Sequence, residues 1–154
     1  EVDTMLPFIL AICTVLSVVH GQDVAVVGFS AGIPETKTIA KDEIVKFPQV
    51  FANHGNGYDN STGIFTATKP GLYYFTLSAV SQKQKAFGFK LYYNEAHTFK
   101  IYGVGSDPSV MGANSILLRL KSRDRVYVKT FFESHIFGDS EGTYAIFNGF
   151  LVTL

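Results

Sequence analysis

The 154-residue chain has one cysteine and no tryptophan, only 17% of its residues are charged, and its 13 basic residues balance its 13 acidic ones. With Cys13 alone, no disulfide can form within the chain, so stability must come from a core or from assembly. Balanced charge removes the electrostatic argument for nucleic acid or an anionic membrane surface as partner. Beyond Gln22 no stretch repeats its apolar residues at a convincing 3.6-residue period, which argues against a helical bundle. There is no His-Glu-x-x-His and no Gly-x-x-x-x-Gly-Lys, so zinc-peptidase and phosphate-loop chemistry have no support. The longest apolar run, Met5 to Val19, is about 15 residues, short of the roughly 20 that cross a bilayer. No internal repeat, low-complexity tract or collagen-like Gly-X-Y run occurs.

That apolar run has the length of a secretory h-region and ends in His20-Gly21-Gln22. Val19 and Gly21 occupy the small-residue positions of a cleavage site after Gly21. The expectation is leader residues at 1–4, a signal peptide at 5–21 and one secreted, extracellular domain at 22–154. Cleavage removes Glu1, Asp3 and Cys13. It leaves 13 basic and 11 acidic residues, formally +2, and no cysteine.

Rings are abundant, with 14 Phe and 8 Tyr, and beyond residue 22 the apolar pattern alternates. Expected strands are Val24–Ala31, Ile44–Val50, Ile64–Thr68, Leu72–Val80, Phe87–Tyr93, Thr98–Tyr102, Ser115–Leu120, Arg125–Phe132 and Tyr144–Leu154. Breakers separate them at Gly55-Asn56-Gly57, Lys69-Pro70-Gly71, Gly105-Ser106-Asp107-Pro108 and Gly138-Asp139-Ser140. Nine or ten short strands with such turns predict an all-β sandwich.

The densest signal is a lattice of rings and glycine: Phe47, Asn53, Tyr58, Phe65, Gly71, Tyr73, Phe75 and Leu77. Its spacing resembles the signature of the globular head domain of complement C1q, with Leu77 standing where an aromatic is usual. Val27-Gly28-Phe29-Ser30-Ala31 resembles that family's opening strand. Leu118-Arg119-Leu120-Lys121-Ser122-Arg123-Asp124-Arg125-Val126 resembles its Leu-x-Leu-x-x-Gly-Asp-x-Val element, with Arg123 in place of Gly. Phe147-Asn148-Gly149-Phe150-Leu151 resembles its closing strand. The resemblance implies a ten-stranded jelly roll of the C1q and tumour necrosis factor type, assembled as a homotrimer. It also implies that Phe47, Phe65, Tyr73, Phe75, Phe147 and Phe150 divide between core and subunit contacts.

Gly28-Phe29-Ser30-Ala31-Gly32 spells a nucleophile elbow, but Ile33-Pro34 follows and no helix pattern continues. Gly103-Val104-Gly105 reads as a turn. His54, His97 and His135 have no metal-ligand spacing, and no catalytic constellation or required cofactor emerges. Calcium stays open, with Asp107, Asp139 and Glu141 in loops. Asn60-Ser61-Thr62 is a glycosylation sequon in a turn. Lys83-Gln84-Lys85 reads as a solvated hairpin tip.

Tyr92-Tyr93-Asn94-Glu95-Ala96-His97 mixes rings with hydrogen-bonding groups at a strand end, a combination suited to sugars. Asn94, Glu95 and His97, with Tyr102 and Asp107, are the candidate ligand-binding residues. As loop residues, Asn94 and Glu95 are expected to be replaceable without loss of stability. The short collagen-free secreted proteins of this type, abundant in invertebrates and especially molluscs, imply a pattern-recognition lectin of innate immunity. Its ligand would be microbial polysaccharide or lipopolysaccharide. A matrix protein and a cytokine-like receptor ligand are the alternatives.

Overall fold

A computed structural model describes residues 26–105, 109–139 and 141–154. The expected signal peptide and Asp107 lie outside the described residues. The strands are β1 (Gly28–Ile33), β2 (Lys37–Ile39), β3 (Gln49–His54), β4 (Tyr58–Asp59), β5 (Ile64–Thr66), β6 (Gly71–Val80), β7 (Phe87–Tyr93), β8 (Ala96–Gly103), β9 (Met111–Leu120), β10 (Arg125–Thr130), β11 (Ser134–Ile136) and β12 (Ala145–Thr153). They form two five-stranded sheets, β3-β1-β12-β6-β9 and β4-β5-β10-β7-β8, with a small β11-β2 ladder. Each pairing within the sheets is antiparallel, and β1 pairs with the distant β12. This is the expected jelly-roll sandwich.

Strand β6 sets the layering. Gly71, Tyr73, Phe75, Leu77 and Ala79 are buried, while the residues between them are half-buried on the other face. The strict period of two sends one set into the sandwich and the other outward. Between the sheets the rings form a connected stack. Phe29 lies 4.6 Å from Tyr58 and 5.1 Å from Phe65, Phe65 lies 5.6 Å from Tyr73 and from Phe75, and Phe147 meets Phe29 edge-on at 4.9 Å. Phe47, Phe65, Tyr73, Phe75 and Phe147 have no solvent exposure. Phe150 points the opposite way and is 48% exposed.

The polar member of the lattice has its own task. Asn53 donates from Nδ2 to the Tyr58 carbonyl at 2.8 Å and accepts the Tyr58 N–H at 3.1 Å. The five-residue step is therefore a clamp across the Gly55-Asn56-Gly57 turn. Tyr58 in turn carries its hydroxyl to the backbone of Phe47, accepting its N–H at 3.2 Å and facing its carbonyl at 3.3 Å.

Three expectations are corrected. Ile44–Val50 is not a strand: Ile44 makes an isolated bridge to Lys129, and β3 begins only after Pro48. Proline has no N–H for a ladder and breaks the run, although Val45 and Phe47 still turn inward. Within the expected Val24–Ala31 run, Val26 and Val27 precede the strand, which covers Gly28–Ile33, and residues 24 and 25 lie outside the described residues. The ladder β2-β11 was not anticipated, because three residues are too few for alternation to register.

Arg123 occupies the place of the usual glycine with φ 74°, and its N–H still reaches the Ala67 carbonyl at 2.8 Å. The turn keeps a glycine-type backbone despite the arginine side chain.

Candidate functional site: two sheet faces of opposite character

The outer face of the β3-β1-β12-β6-β9 sheet is nearly free of charge. Cross-strand register places Gly28, Phe150, Tyr74 and Leu117 in one row and Ser30, Asn148, Thr76 and Ser115 in the next. Phe150 and Tyr74 have their rings 5.6 Å apart, and Asn148 Nδ2 donates to Thr76 Oγ1 at 2.9 Å. Leu117, Phe150, Met111 and Val152 are each about half exposed or more. Across the five strands of this sheet the only Lys, Arg or His residues are Arg119 and His54, and there is no Asp or Glu. Large apolar side chains exposed together on one face signal contact with another surface.

Ser30 sits within this sheet, opposite Asn148 on one side and Ala52 on the other. The Gly28-x-Ser30-x-Gly32 motif is thus continuous strand, without the sharp strand-to-helix turn that exposes a nucleophile.

The other sheet presents a different surface. Tyr92 stacks on Tyr127 at 5.3 Å and 6°. His97 meets Tyr92 edge-on at 6.2 Å. Beside them Arg125 Nη2 contacts Glu95 Oε1 at 2.6 Å. Tyr127 is buried, at 7% exposure, and backs the half-buried Tyr92. Tyr92, bordered by an imidazole, a guanidinium and a carboxylate, is thus the ring that offers an apolar surface beside hydrogen-bonding groups. Burial, above all, raises the Tyr127 phenol above its ordinary value.

Asn94 is a structural residue. It takes φ 50°, which asparagine tolerates better than most residues. Its Nδ2 donates to Asp124 Oδ1 at 3.1 Å, its Oδ1 accepts the Arg125 N–H at 2.9 Å, and its own N–H reaches the Arg125 carbonyl at 2.8 Å. Asp124 also accepts from the Lys121 N–H at 2.7 Å and the Tyr93 hydroxyl at 2.8 Å. The Lys121 N–H foremost, with the Asn94 amide and the Tyr93 hydroxyl, holds the Asp124 carboxyl below its usual range. The same bond to Asp124 raises the Tyr93 phenol. Asn94 and Asp124 together tie the β7–β8 turn to the β9–β10 turn, so Asn94 is not freely replaceable.

The structure therefore divides the sequence-based candidates. Glu95 and His97 lie beside the Tyr92–Tyr127 platform. Tyr102 is exposed near the other end of β8, six residues from Ala96 and roughly 20 Å away at about 3.3 Å per residue. Asp107 lies outside the described residues. Arg125 and Tyr127 were missed. Their alternation with Val126 and Val128 marks them as outward-facing, but only register shows that they adjoin Tyr92 and Glu95.

Asn60 is exposed in the β4–β5 turn, with its Nδ2 on the Pro48 carbonyl at 3.2 Å. Asp139 spends one carboxyl oxygen on the N–H groups of Glu141 and Gly142 in its own loop. Among the described residues no three His, Cys, Asp or Glu side chains converge as a metal site. No helix among them is long and apolar enough to cross a membrane.

Comparison with known proteins locates this arrangement. The C1q domain matches residues 28–152. Mouse complement C1q tumor necrosis factor-related protein 6 is 35% identical over 109 residues, covering 69% of this chain and 41% of that protein. A human complement C1q subcomponent is 29% identical, covering 82% of this chain and 50% of the relative. The chain thus spans half or less of these relatives' length. Among solved structures, the globular domain of zebrafish complement 1qA superposes with a TM-score of 0.68 at 25% identity, covering 81% of this chain and 96% of that one. The Eiger tumour necrosis factor of S. frugiperda reaches 0.67 at 11% identity, over 84% of this chain and 94% of that one, a likeness of fold alone. With the ring lattice, the sheet order and a domain match spanning nearly every described strand, the chain belongs to the C1q domain family.

Proposed function

We propose that this is a secreted, non-catalytic recognition protein that binds microbial surface glycans, polysaccharide or lipopolysaccharide, as a homotrimer. The observation that carries the reading is the Tyr92–Tyr127 platform bordered by His97, Glu95 and Arg125. Rings stack on the C–H faces of sugars, and the polar rim meets hydroxyls. Family membership and the complement proteins among the relatives support innate immunity as the setting. The exposed row of Phe150 and Leu117, on a sheet face almost without charge, supports subunit contact there. A trimer built on that face leaves the platform outside, where three weak sites act together. No cofactor is needed for such binding, and calcium dependence is part of the test.

A glycan array probed with residues 22–154, with calcium and with chelator, tests the reading. Saturable binding to microbial glycans is expected, lost in Glu95→Gln/His97→Ala with the melting temperature kept. Absence of glycan binding together with saturable binding to host cells would replace this reading with a cytokine-like one. Two further expectations belong here. Intact mass of the protein from a eukaryotic host should begin at Gln22, and it should fall on glycosidase treatment through loss of sugar at Asn60. A mature chain retaining Met5–Val19, or a mass unchanged by glycosidase, refutes the respective expectation.

A further inference from the structure

The face that carries the Tyr92 platform also carries a row of lysines in register. Lys129 on β10 lies opposite Lys90 on β7, and Lys90 lies opposite Lys100 on β8. All three alternate with buried residues, Val128, Phe89 and Leu91, and Ile101, so their side chains point outward. Like charges directly opposite across an antiparallel pair repel, and here the arrangement occurs twice in succession. Among the described residues none of the three makes an ion pair.

Their ammonium groups sit over rings instead. Lys90 Nζ and Lys100 Nζ lie 5.5 and 5.6 Å from the centre of Phe131, and Lys129 Nζ lies 5.7 Å from that of Tyr92. Phe131 can lie there because Gly88 has no side chain: a Cβ at that position would fall 2.6 Å from the ring. Strands β5, β7, β8 and β10 bear Lys90, Lys100, Arg125 and Lys129 and contain no Asp or Glu. The neutral overall composition hides this, because among the described residues the carboxylates lie in turns and loops and on the edge strand β4.

We propose that this face binds an anionic polysaccharide, one bearing sulfate or carboxylate groups, laid across the strands along Lys129, Lys90 and Lys100. A polymer running in that direction meets an ammonium at each strand, about every 4.8 Å. Its negative groups relieve the repulsion within the row, and as the ammonium groups swing off Phe131 and Tyr92 to meet them, each ring frees a face for the sugar backbone. Rings interleaved with ammonium groups match a charged sugar polymer better than a bare polyanion, which needs charge alone. The proposal rests on the glycan-binding reading above and names the chemical class that the lysine row adds to it.

The probe is dextran sulfate, with neutral dextran of the same length as reference, on the intact assembled protein. Binding to dextran sulfate should exceed binding to dextran and weaken as salt rises, because counterions are released and charges are screened. The variant Lys90→Gln/Lys100→Gln/Lys129→Gln should lose affinity for dextran sulfate by about tenfold or more, since three ionic contacts go together. It should keep its melting temperature and its binding to neutral array glycans. Lys69→Gln/Lys85→Gln/Lys121→Gln removes the same charge from connecting segments and should bind dextran sulfate nearly as the native protein does. Equal losses in the two variants, or no preference of the native protein for dextran sulfate, would overturn the proposal. So would tighter binding of single-stranded DNA than of dextran sulfate at equal charge, because the row would then be reading charge without sugar. Failure here with neutral glycans still bound leaves the glycan reading standing. Loss of both types of binding in Glu95→Gln/His97→Ala, with the lysine row intact, marks the platform as the essential part.

Discussion

At the residue scale, the places where side chains meet an unusual backbone give the sharpest predictions. Arg123 holds φ 74° in a turn where its side chain reaches solvent. A left-handed backbone costs a non-glycine residue roughly 1–2 kcal/mol, part of which glycine returns as unfolded-state entropy. Arg123→Gly should therefore stabilise the protein by about 0.5–1 kcal/mol, read as a higher denaturation midpoint at unchanged slope. Asn94→Ala should act in the opposite sense. It removes two side-chain hydrogen bonds and places a Cβ-only residue at φ 50°, a loss of about 2 kcal/mol in the same measurement. Tyr58 offers a pH test. Burial, its largest influence, pushes the phenol up to about 12. A raised folded value means that the protonated form is favoured by folding. Its contribution is whole below about pH 10 and is lost as pH rises through about 12, amounting to about 2.7 kcal/mol at most. Tyr58→Phe should flatten the alkaline decline of the melting temperature over that window, at a cost of about 1 kcal/mol at neutral pH for the bonds to Phe47.

At the scale of the element, alternation was legible where the inward positions carry apolar residues in succession. Of the ten-residue β9 only Ser115–Leu120 was read, because Gly112 and Asn114 break the apolar alternation of its first half. Strand β6 could be read in the sequence because five consecutive inward positions carry Gly, Tyr, Phe, Leu and Ala. Phe75→Ala, at zero exposure, should cost about 3–5 kcal/mol through lost transfer energy and the cavity left behind, measurable by chemical denaturation. Of the shorter elements, β5 was read within Ile64–Thr68, whereas β2, β4 and β11 were not. The segment around Phe47 alternates well enough to suggest a strand, yet Pro48 cannot donate to a ladder, and the segment packs inward without one. The candidate site was half legible for a related reason. The Tyr92–His97 stretch advertised rings and polar groups, but sequence proximity grouped Tyr102 with them although a whole strand separates the two. Asn94 looked like a free loop amide because its partners, Asp124 and Arg125, lie some thirty positions onward. Pairing between strands decides such questions, and nothing local in a sequence encodes the register of distant strands.

At the scale of the whole molecule, the outer faces of the two sheets differ in character. One outer face carries Phe150, Leu117, Met111 and Val152 and almost no charge; the other carries rings, a carboxylate and cations. A net charge near zero gave no hint of this, because composition averages over faces. Weak sites become useful when a rigid assembly presents several copies, so recognition and assembly should fail together. Leu117→Arg introduces a charge on an exposed side chain and should leave the protomer's stability within about 0.5 kcal/mol while dissociating the proposed trimer in light scattering. The most direct measurement follows the binding of native protein and of Leu117→Arg to an immobilised microbial polysaccharide, with the affinity of each protomer for a soluble oligosaccharide determined alongside. The account predicts equal protomer affinities but apparent surface binding about 100-fold or more tighter for the native protein. Equal surface binding by the two, or a native protein that is monomeric at micromolar concentration and binds undiminished, would contradict it.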